Sequence, residues 1–303
     1  MSVITILLPI LVLGVLGAAF ALLLALSFKK LAVKADPKVD AVLAALPGSN
    51  CGACGYAGCL GLAEAIAAGK AEADGCVAGG NATAQAVAAV LGVSLEPQTE
   101  LVAFVACRAG RSTAIMLYEY QGVQNCQSAH LMYGGDKACA WGCLGLGSCE
   151  RACPFDAIHV NGDGLAVVDR VKCRSCKKCV AACPRGLISM VPKSQDVLVA
   201  CMNHERGNKA RQVCAIACTA CKICEKNCPD DAIHVAIVAT PAPHPSVSDN
   251  LAVIDFAKCT QCGTCVEKCP QASIVSMSGK YHPKKKEPVA AGSEPVSSGG
   301  SGG

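Results

Sequence analysis

The stretch CRSCKKCVAACP at residues 173–184 decides the fold of this chain, because its cysteines follow the spacing C-x2-C-x2-C-x3-C-P. The same spacing recurs at residues 218–229 and 259–270. It is typical of [4Fe-4S] proteins, in which three thiolates of one loop bind one cluster and the fourth binds a neighbouring cluster. With 24 cysteines in 303 residues, we expect a protein organised around several such clusters.

Two other uses of cysteine fit this pattern less well. Disulfide frameworks are typical of short secreted chains, whereas this chain is long and begins with an apolar segment. Structural zinc sites combine paired C-x2-C units. Such pairs explain neither the third cysteine of each run nor the fourth cysteine before proline.

Residues 1–30 form a predicted transmembrane anchor. The segment from Val3 to Phe28 is almost entirely apolar or small, and at about 1.5 Å per residue it can cross the roughly 30 Å core of a bilayer. A secretory signal requires a basic residue before its apolar stretch, and none precedes this segment. Lys29, Lys30 and Lys34 follow it instead. The positive-inside rule then predicts a single-pass protein of the cell (inner) membrane, with its soluble modules on the cytoplasmic side.

A first soluble module is predicted at residues 36–95. It contains Cys51 and Cys54 in a glycine-rich loop, Cys59 at the start of a predicted helix, and Cys76 after that helix. Four ligands suffice for one [4Fe-4S] cluster. A thioredoxin-type redox pair at Cys51 and Cys54 is the alternative, but no βαβ pattern surrounds it.

An internal repeat predicts two further modules, at residues 100–192 and 196–280. A shift of 75 residues superimposes DAIHV at Asp156 on DAIHV at Asp231, which indicates duplication. The same shift places Cys139, Cys143, Cys149 and Cys153 on Cys214, Cys218, Cys224 and Cys228. We therefore expect two tandem two-cluster ferredoxin modules.

The exchange of fourth ligands between the two halves of a module predicts the cysteine sets. One run is incomplete, because Leu146 occupies the position that Cys221 has in the second copy, and we expect Cys139 to serve there. The predicted sets are Cys173, Cys176 and Cys179 with Cys153; Cys139, Cys143 and Cys149 with Cys183; Cys218, Cys221 and Cys224 with Cys269; and Cys259, Cys262 and Cys265 with Cys228.

Four cysteines stand outside these five clusters: Cys107, Cys126, Cys201 and Cys214. Small buried thiols are a common role for such residues. A sixth cluster is possible by number alone. However, the repeat puts Cys107 and Cys201 at equivalent places in different modules, and we therefore expect them to lie apart.

Short β-branched segments follow the ligand loops and predict strands. They are AIHV, LAVVD, LISMV, LAVID and SIVSM. The predicted fold class is α+β: one transmembrane helix, a small helical [4Fe-4S] module and two ferredoxin-like modules. Residues 236–250 predict a proline-rich surface loop, and residues 281–303 a disordered tail. The net charge of +4 is modest and no recognition motif accompanies it, so we expect no nucleic-acid partner.

Two stretches carry a family resemblance: LPGSNCGACGYAGC at residues 46–59 and GGDKACAWGCLGLGSCERACPFDAI at residues 134–158. With the order of modules, they resemble the B subunit of the Rnf complex, in its long form with two ferredoxin modules, over residues 1 to about 280. Val77 stands where family members usually have proline. The resemblance implies a subunit of an ion-translocating ferredoxin:NAD+ oxidoreductase, which takes electrons from soluble reduced ferredoxin and passes them to membrane partner subunits.

The sequence favours electron transfer over catalysis within this chain. It has no G-x-G-x-x-G fingerprint between a strand and a helix, so NAD chemistry belongs to another subunit, and the isolated chain is an electron carrier. His159 and His234 lie in the repeated strands and are interpreted as structural. A polyferredoxin subunit of a hydrogenase or formate-oxidising enzyme, and a redox sensor, are the alternatives. Arg206, Lys209 and Arg211 are candidates for attracting an acidic ferredoxin.

Metal removal tests the dependence of the fold on its clusters. With an aromatic content of only 4%, the soluble modules cannot rest on one large apolar core, and ligation supplies folding free energy to such small domains. We expect anaerobic iron chelation to abolish the near-ultraviolet circular dichroism of the protein. A chelated protein that keeps its native spectrum would contradict this expectation.

Overall fold

The computed structural model describes residues 3–31, 36–96, 98–236 and 251–282. Within these ranges the chain is α+β, which confirms the predicted fold class. The predicted proline-rich loop lies outside the described residues apart from Ala236, and the predicted tail does so from residue 283 onward.

Helix α1 runs from Val3 to Leu31. Its described side chains, those of residues 11–27, are almost all exposed, including Leu13, Phe20 and Leu24. Among the residues whose placement the structure describes, no helix is both long enough and apolar enough to cross a membrane.

Three helices build the amino-terminal unit: α2 (Pro37–Ala45), α3 (Gly58–Ala67) and α4 (Gly80–Leu91). Asp36 caps α2 by accepting a hydrogen bond from the Lys38 backbone N–H, and Pro37 fits the first helical position. The inner faces of the helices bury Val42, Leu62 and Val87. Cys59 and Cys76 belong to the same core, so the predicted ligands are part of the packing of this unit.

The rest of the chain repeats one arrangement twice. Strands β1 and β4 pair antiparallel, as do β2 with β3, β5 with β8, and β6 with β7. The strands are β1 (Leu101–Val105), β2 (Ile158–Val160), β3 (Ala166–Val168), β4 (Ile188–Pro192), β5 (Val197–Val199), β6 (Ile233–Ala236), β7 (Leu251–Ile254) and β8 (Ile274–Ser276). We call the residues from β1 to β4 the first ferredoxin-like unit and those from β5 to β8 the second.

Short helices connect these strands, and all but α8 carry one cysteine each. They are α5 (Cys126–Leu131), α6 (Ser148–Arg151), α7 (Lys178–Ala182), α8 (Gly207–Val213), α9 (Ile223–Lys226) and α10 (Thr264–Lys268). The five predicted strand segments are confirmed. Strands β1 and β5 were not predicted. Each opens its unit and pairs with the last strand of that unit, with Val105 opposite Ile188 and Val199 opposite Ile274.

The two ferredoxin-like units share apolar cores. Val102, Phe104 and Val191 of the first unit pack with Leu198 and Ala200 of the second. Another cluster at this contact contains Ala109, Ala210, Cys214 and Ala217. The units therefore pack directly against each other.

Core packing in the amino-terminal unit can be tested on one helix. Leu62 is 1% exposed and Leu60 is 51% exposed, both on α3. Leu62→Ala leaves a cavity beside Cys59 and Cys76, and we expect it to lower the free energy of unfolding by about 2–5 kcal/mol. Leu60→Ala is the matched control, with an expected change within about 0.5 kcal/mol. Anaerobic guanidinium unfolding measures both, and equal effects would contradict the described packing.

Candidate iron–sulfur sites

The ligand loops of the two units share one backbone conformation. A residue with positive φ stands on each side of the middle position of every loop, at Ser175 and Lys177, Ala220 and Lys222, Gln261 and Gly263, and Gly145 and Gly147. Left-handed residues turn the chain sharply, so the loop curls round a small volume before the next helix begins. That helix carries the third cysteine of the loop: Cys179, Cys224, Cys265 or Cys149.

The turn after each Cys-Pro also repeats. The second residue after proline has positive φ in all four cases: Asp156, Gly186, Asp231 and Ala272. The chain thereby folds back on the cysteine, so that the backbone N–H of Ala157 lies 3.4 Å from Cys153 Sγ, and that of Ala232 lies 3.3 Å from Cys228 Sγ. Hydrogen bonds to sulfur are among the factors that set cluster potentials.

Three sets of four cysteines surround pockets or face one another across the halves of a unit. We name each set after the middle cysteine of its loop. The Cys176 set lines one pocket and consists of Cys153, Cys173, Cys176 and Cys179. The Cys262 set lines another and consists of Cys228, Cys259, Cys262 and Cys265. In the Cys221 set, burial raises the pKa of Cys224 to about 12, and the nearby Cys218, Cys269 and Cys221 contribute to this rise. The Cys221 set consists of Cys218, Cys221, Cys224 and Cys269.

The remaining set of the first unit differs from the prediction. Cys126, Cys143, Cys149 and Cys183 line one pocket, and we call them the Cys126 set. Burial raises the pKa of Cys149 to about 12, and Cys143, Cys126 and Cys183 add to this effect. The structure therefore brings Cys126, and not Cys139, next to these three cysteines.

The local structure explains how Cys126 reaches this pocket. Asn125 caps α5 by accepting hydrogen bonds from the backbone N–H groups of Gln127 and Ser128, at 2.7 and 3.1 Å. The Cys126 N–H donates to Ser148 Oγ at 2.8 Å, beside Cys149. The segment between Cys107 and Cys139 is longer than its counterpart in the second copy. This extra segment brings the Cys126 thiol to the pocket, where Leu146 offers none. The leucine in place of a loop cysteine was the sequence feature that indicated a thiol from elsewhere.

Cys139 lies elsewhere, with Cys107, Cys201 and Cys214 around a pocket between the two units. We call these four the interface set. Cys107 and Cys201 form an isolated antiparallel bridge, so the expectation that they lie apart is wrong. Equivalent positions of the two copies meet here because the copies pack face to face.

We call Cys51, Cys54, Cys59 and Cys76 the amino-terminal set. These cysteines lie in the loop before α3, at the start of α3 and in the turns after it. Burial raises the pKa of Cys76, and the thiols of Cys59 and Cys54 raise it further. The Cys59 N–H donates to Asn50 Oδ1 at 2.8 Å, which fixes the loop against the start of α3. Cys51 belongs to the same loop, and its carbonyl accepts a 2.9 Å hydrogen bond from Lys178 Nζ of the first ferredoxin-like unit.

The chemistry of these pockets fits iron–sulfur clusters. Burial raises the pKa of Cys179 to about 11 and that of Cys265 to about 12, so these thiols need a bound cation to become thiolates at neutral pH. A single zinc ion needs its sulfurs within about 2.3 Å of one point. Among the described residues, no group of three or more His, Cys, Asp or Glu side chains is arranged to hold a single ion. The four pockets instead enclose about 330–380 Å³ of space, part of it open to solvent.

Comparison with known proteins identifies the family. A protein of Acetobacterium woodii, named as the B subunit of a Na+-translocating ferredoxin:NAD+ oxidoreductase complex, is 45% identical over 269 residues, which cover 89% of this chain and 77% of the relative. The chain belongs to the B subunits of ion-translocating oxidoreductase complexes. The B subunit of such a complex from Methanosarcina acetivorans is 40% identical, with 87% of this chain and 95% of the relative covered. The B subunit of a proton-translocating complex from Clostridium ljungdahlii is 37% identical, with 89% and 92% covered.

Three family models match parts of the chain. A putative Fe-S cluster family matches residues 46–78, a 4Fe-4S binding domain matches residues 172–186, and a 4Fe-4S dicluster domain matches residues 217–275. The protein is therefore an iron–sulfur electron-transfer subunit. Cys107, Cys126, Cys139 and Cys201 lie outside the three matched ranges.

The role of Cys126 can be tested by loss and rescue. Cys126→Ser removes one thiol of its set, and we expect the loss of about four irons per protein. Leu146→Cys in the same chain restores the loop cysteine between two residues of positive φ, as at Cys221, and we expect iron to return. Iron and sulfide analysis of anaerobically purified protein measures both changes. Undiminished iron in Cys126→Ser would show that Cys126 is not a ligand.

Proposed function

We propose that this protein takes electrons from reduced ferredoxin and relays them, through at least five [4Fe-4S] clusters, to membrane subunits that move Na+ or H+. The observation that carries this proposal is the succession of four-cysteine sets. When bound, a [4Fe-4S] cluster supplies one-electron transfer at low potential. The proposed ligands are the amino-terminal set, the Cys176 set, the Cys126 set, the Cys221 set and the Cys262 set, with Cys126 in place of Cys139.

The contacts between units support a continuous path. Lys178, which stands between two members of the Cys176 set, holds the Cys51 carbonyl of the amino-terminal set. Within the first ferredoxin-like unit, α6 carries Cys149 of one set, and Cys153 of the other set follows it directly. Short separations between neighbouring sites allow electrons to pass from one unit to the next.

We propose that the apolar amino-terminal segment, residues 1–30, anchors the protein at the membrane. The exposed leucines of α1 form an apolar surface that a soluble helix would not present. Residues 3–28 contain no ionisable side chain, so the helix offers no ion pathway. Ion translocation and NAD chemistry therefore belong to other subunits.

A basic rim supports docking of ferredoxin at the Cys221 set. Cys221 is exposed, and the cavity beside it is lined by four exposed basic side chains, Arg206, Arg211, Lys222 and Lys226. A partner with an acidic surface would be guided to this place by charge complementarity. Lys209, the third predicted contact, does not line the cavity. An exposed ligand inside a basic rim brings the partner close to a site that can accept its electron.

Charge reversal tests this docking surface. Arg206→Glu/Arg211→Glu changes the rim without touching a ligand loop, and we expect reduction by ferredoxin at low salt to slow about tenfold or more. Lys38→Glu/Lys70→Glu, on the amino-terminal unit, is the matched control and keeps the original rate. Stopped-flow absorbance measures reduction, with dithionite as the small-molecule donor that reduces all forms equally. Equal rates with ferredoxin in both double variants would exclude the basic rim.

A further inference from the structure

We propose that Cys107, Cys139, Cys201 and Cys214 bind a sixth [4Fe-4S] cluster at the contact between the two ferredoxin-like units. The site rests on its own geometry, whereas its role as a relay rests on the proposed function. None of the matched family ranges includes these four residues.

The four thiols converge on one pocket. The Cys107 and Cys201 backbones are joined by the antiparallel bridge, and Cys214 is joined by another bridge to Ala114. The Cys139 carbonyl accepts a 2.9 Å hydrogen bond from Arg185. The pocket encloses about 380 Å³, close to the three pockets lined by the Cys176, Cys126 and Cys262 sets. A site of the same size with the same four donors is suited to the same cofactor.

The duplication explains why the site is complete. Cys139 and Cys214 are equivalent in the repeat, and Cys107 and Cys201 follow the first strand of each unit in equivalent VAC segments. When two copies pack through the same surface, a position near the local axis meets its own equivalent. Two pairs of equivalent cysteines at that axis give four ligands, which neither copy could supply alone.

The charges around the pocket fit an anionic group. Lys137, which lines this pocket, is 3% exposed, and Arg185, which lines the pocket of the Cys126 set and contacts Cys139, is 5% exposed. Lys137 Nζ donates to Ala109 O at 2.9 Å, and Arg185 donates to Cys139 O at 2.9 Å. The nearby carboxylate of Asp136 is paired with Arg111 at 3.1 Å. Buried cations need a compensating negative charge, and a cluster held by four thiolates supplies it, whereas four neutral thiols do not.

Hydrogen bonds place this site between two of the other sets. The Cys143 N–H donates to Cys107 Sγ at 3.5 Å, and the Cys218 N–H donates to Cys201 Sγ at 3.3 Å. Cys143 belongs to the Cys126 set and Cys218 to the Cys221 set. One ligand on each side is thus a single hydrogen bond away, and the interface set joins the two units into one electron path. The relay step moves one electron between clusters and neither forms nor breaks a bond.

Counting clusters tests the proposal. Native mass spectrometry and iron analysis of the anaerobically purified full-length protein are expected to give six clusters, or about twenty-four irons. Cys107→Ser/Cys201→Ser is expected to retain five. Ile216→Val, which trims the wall of the same pocket and leaves all four thiols, is expected to retain six. Five clusters in the wild-type protein, or zinc in this pocket, would overturn the proposal, even if the double variant failed to fold.

Reduction kinetics test the relay role separately. In Cys107→Ser/Cys201→Ser, reduced ferredoxin is expected to reduce the second unit at the normal rate and the amino-terminal unit at least tenfold more slowly, as followed by freeze-quench EPR. An unchanged rate at the amino-terminal unit would overturn the relay. Six clusters in a protein that ferredoxin cannot reduce would refute ferredoxin as donor while leaving the sixth site supported.

Discussion

The convergence of four cysteine thiols on one pocket is the constraint on which this structure depends. The strands are three to five residues long and pair only two by two, and such small sheets are not stable alone. Buried cysteines contribute to the apolar core of each unit, as Cys218, Cys224 and Cys269 do beside Val266. In the absence of a metal, burial disfavours the thiolate form. Ligation of iron therefore stabilises the fold of these units, as a larger apolar core stabilises other domains.

Loop conformation follows from this constraint more than from residue type. Ser175, Ala220 and Gln261 adopt positive φ at the same place in their loops, although none of them is glycine. Local preference alone disfavours this conformation. The repeated geometry is required because three cysteines of one short loop must face the same point, and the surrounding structure compensates the backbone cost.

The sequence predicted what local spacing determines and missed what packing between copies determines. The complete runs, the repeat and six of the eight described strands could be read from period and spacing. Strands β1 and β5 escaped because their partners lie at the far end of each unit. The position of Cys126 beside Cys149 was not predicted because the extra segment that carries it matches nothing in the second copy. We expected Cys107 and Cys201 to lie apart because they are equivalent in the repeat, although equivalence brings them together once the copies face each other. Cys139 was given a role that its equivalent, Cys214, did not share, and that inconsistency was already visible in the repeat.

Duplication also left one difference in charge between the two units. Arg185 follows the Cys-Pro turn of the first unit, and the same place in the second unit holds Gln271, which is also buried. A buried positive charge lowers the energy of the more negative, reduced form of a nearby cluster, whereas a neutral amide does so far less. A cluster held by the Cys126 set, which Arg185 lines, would therefore have a higher reduction potential than one held by the Cys221 set next to Gln271. Duplication has thus produced two sites with nearly the same backbone that differ in the charge buried beside their cysteines.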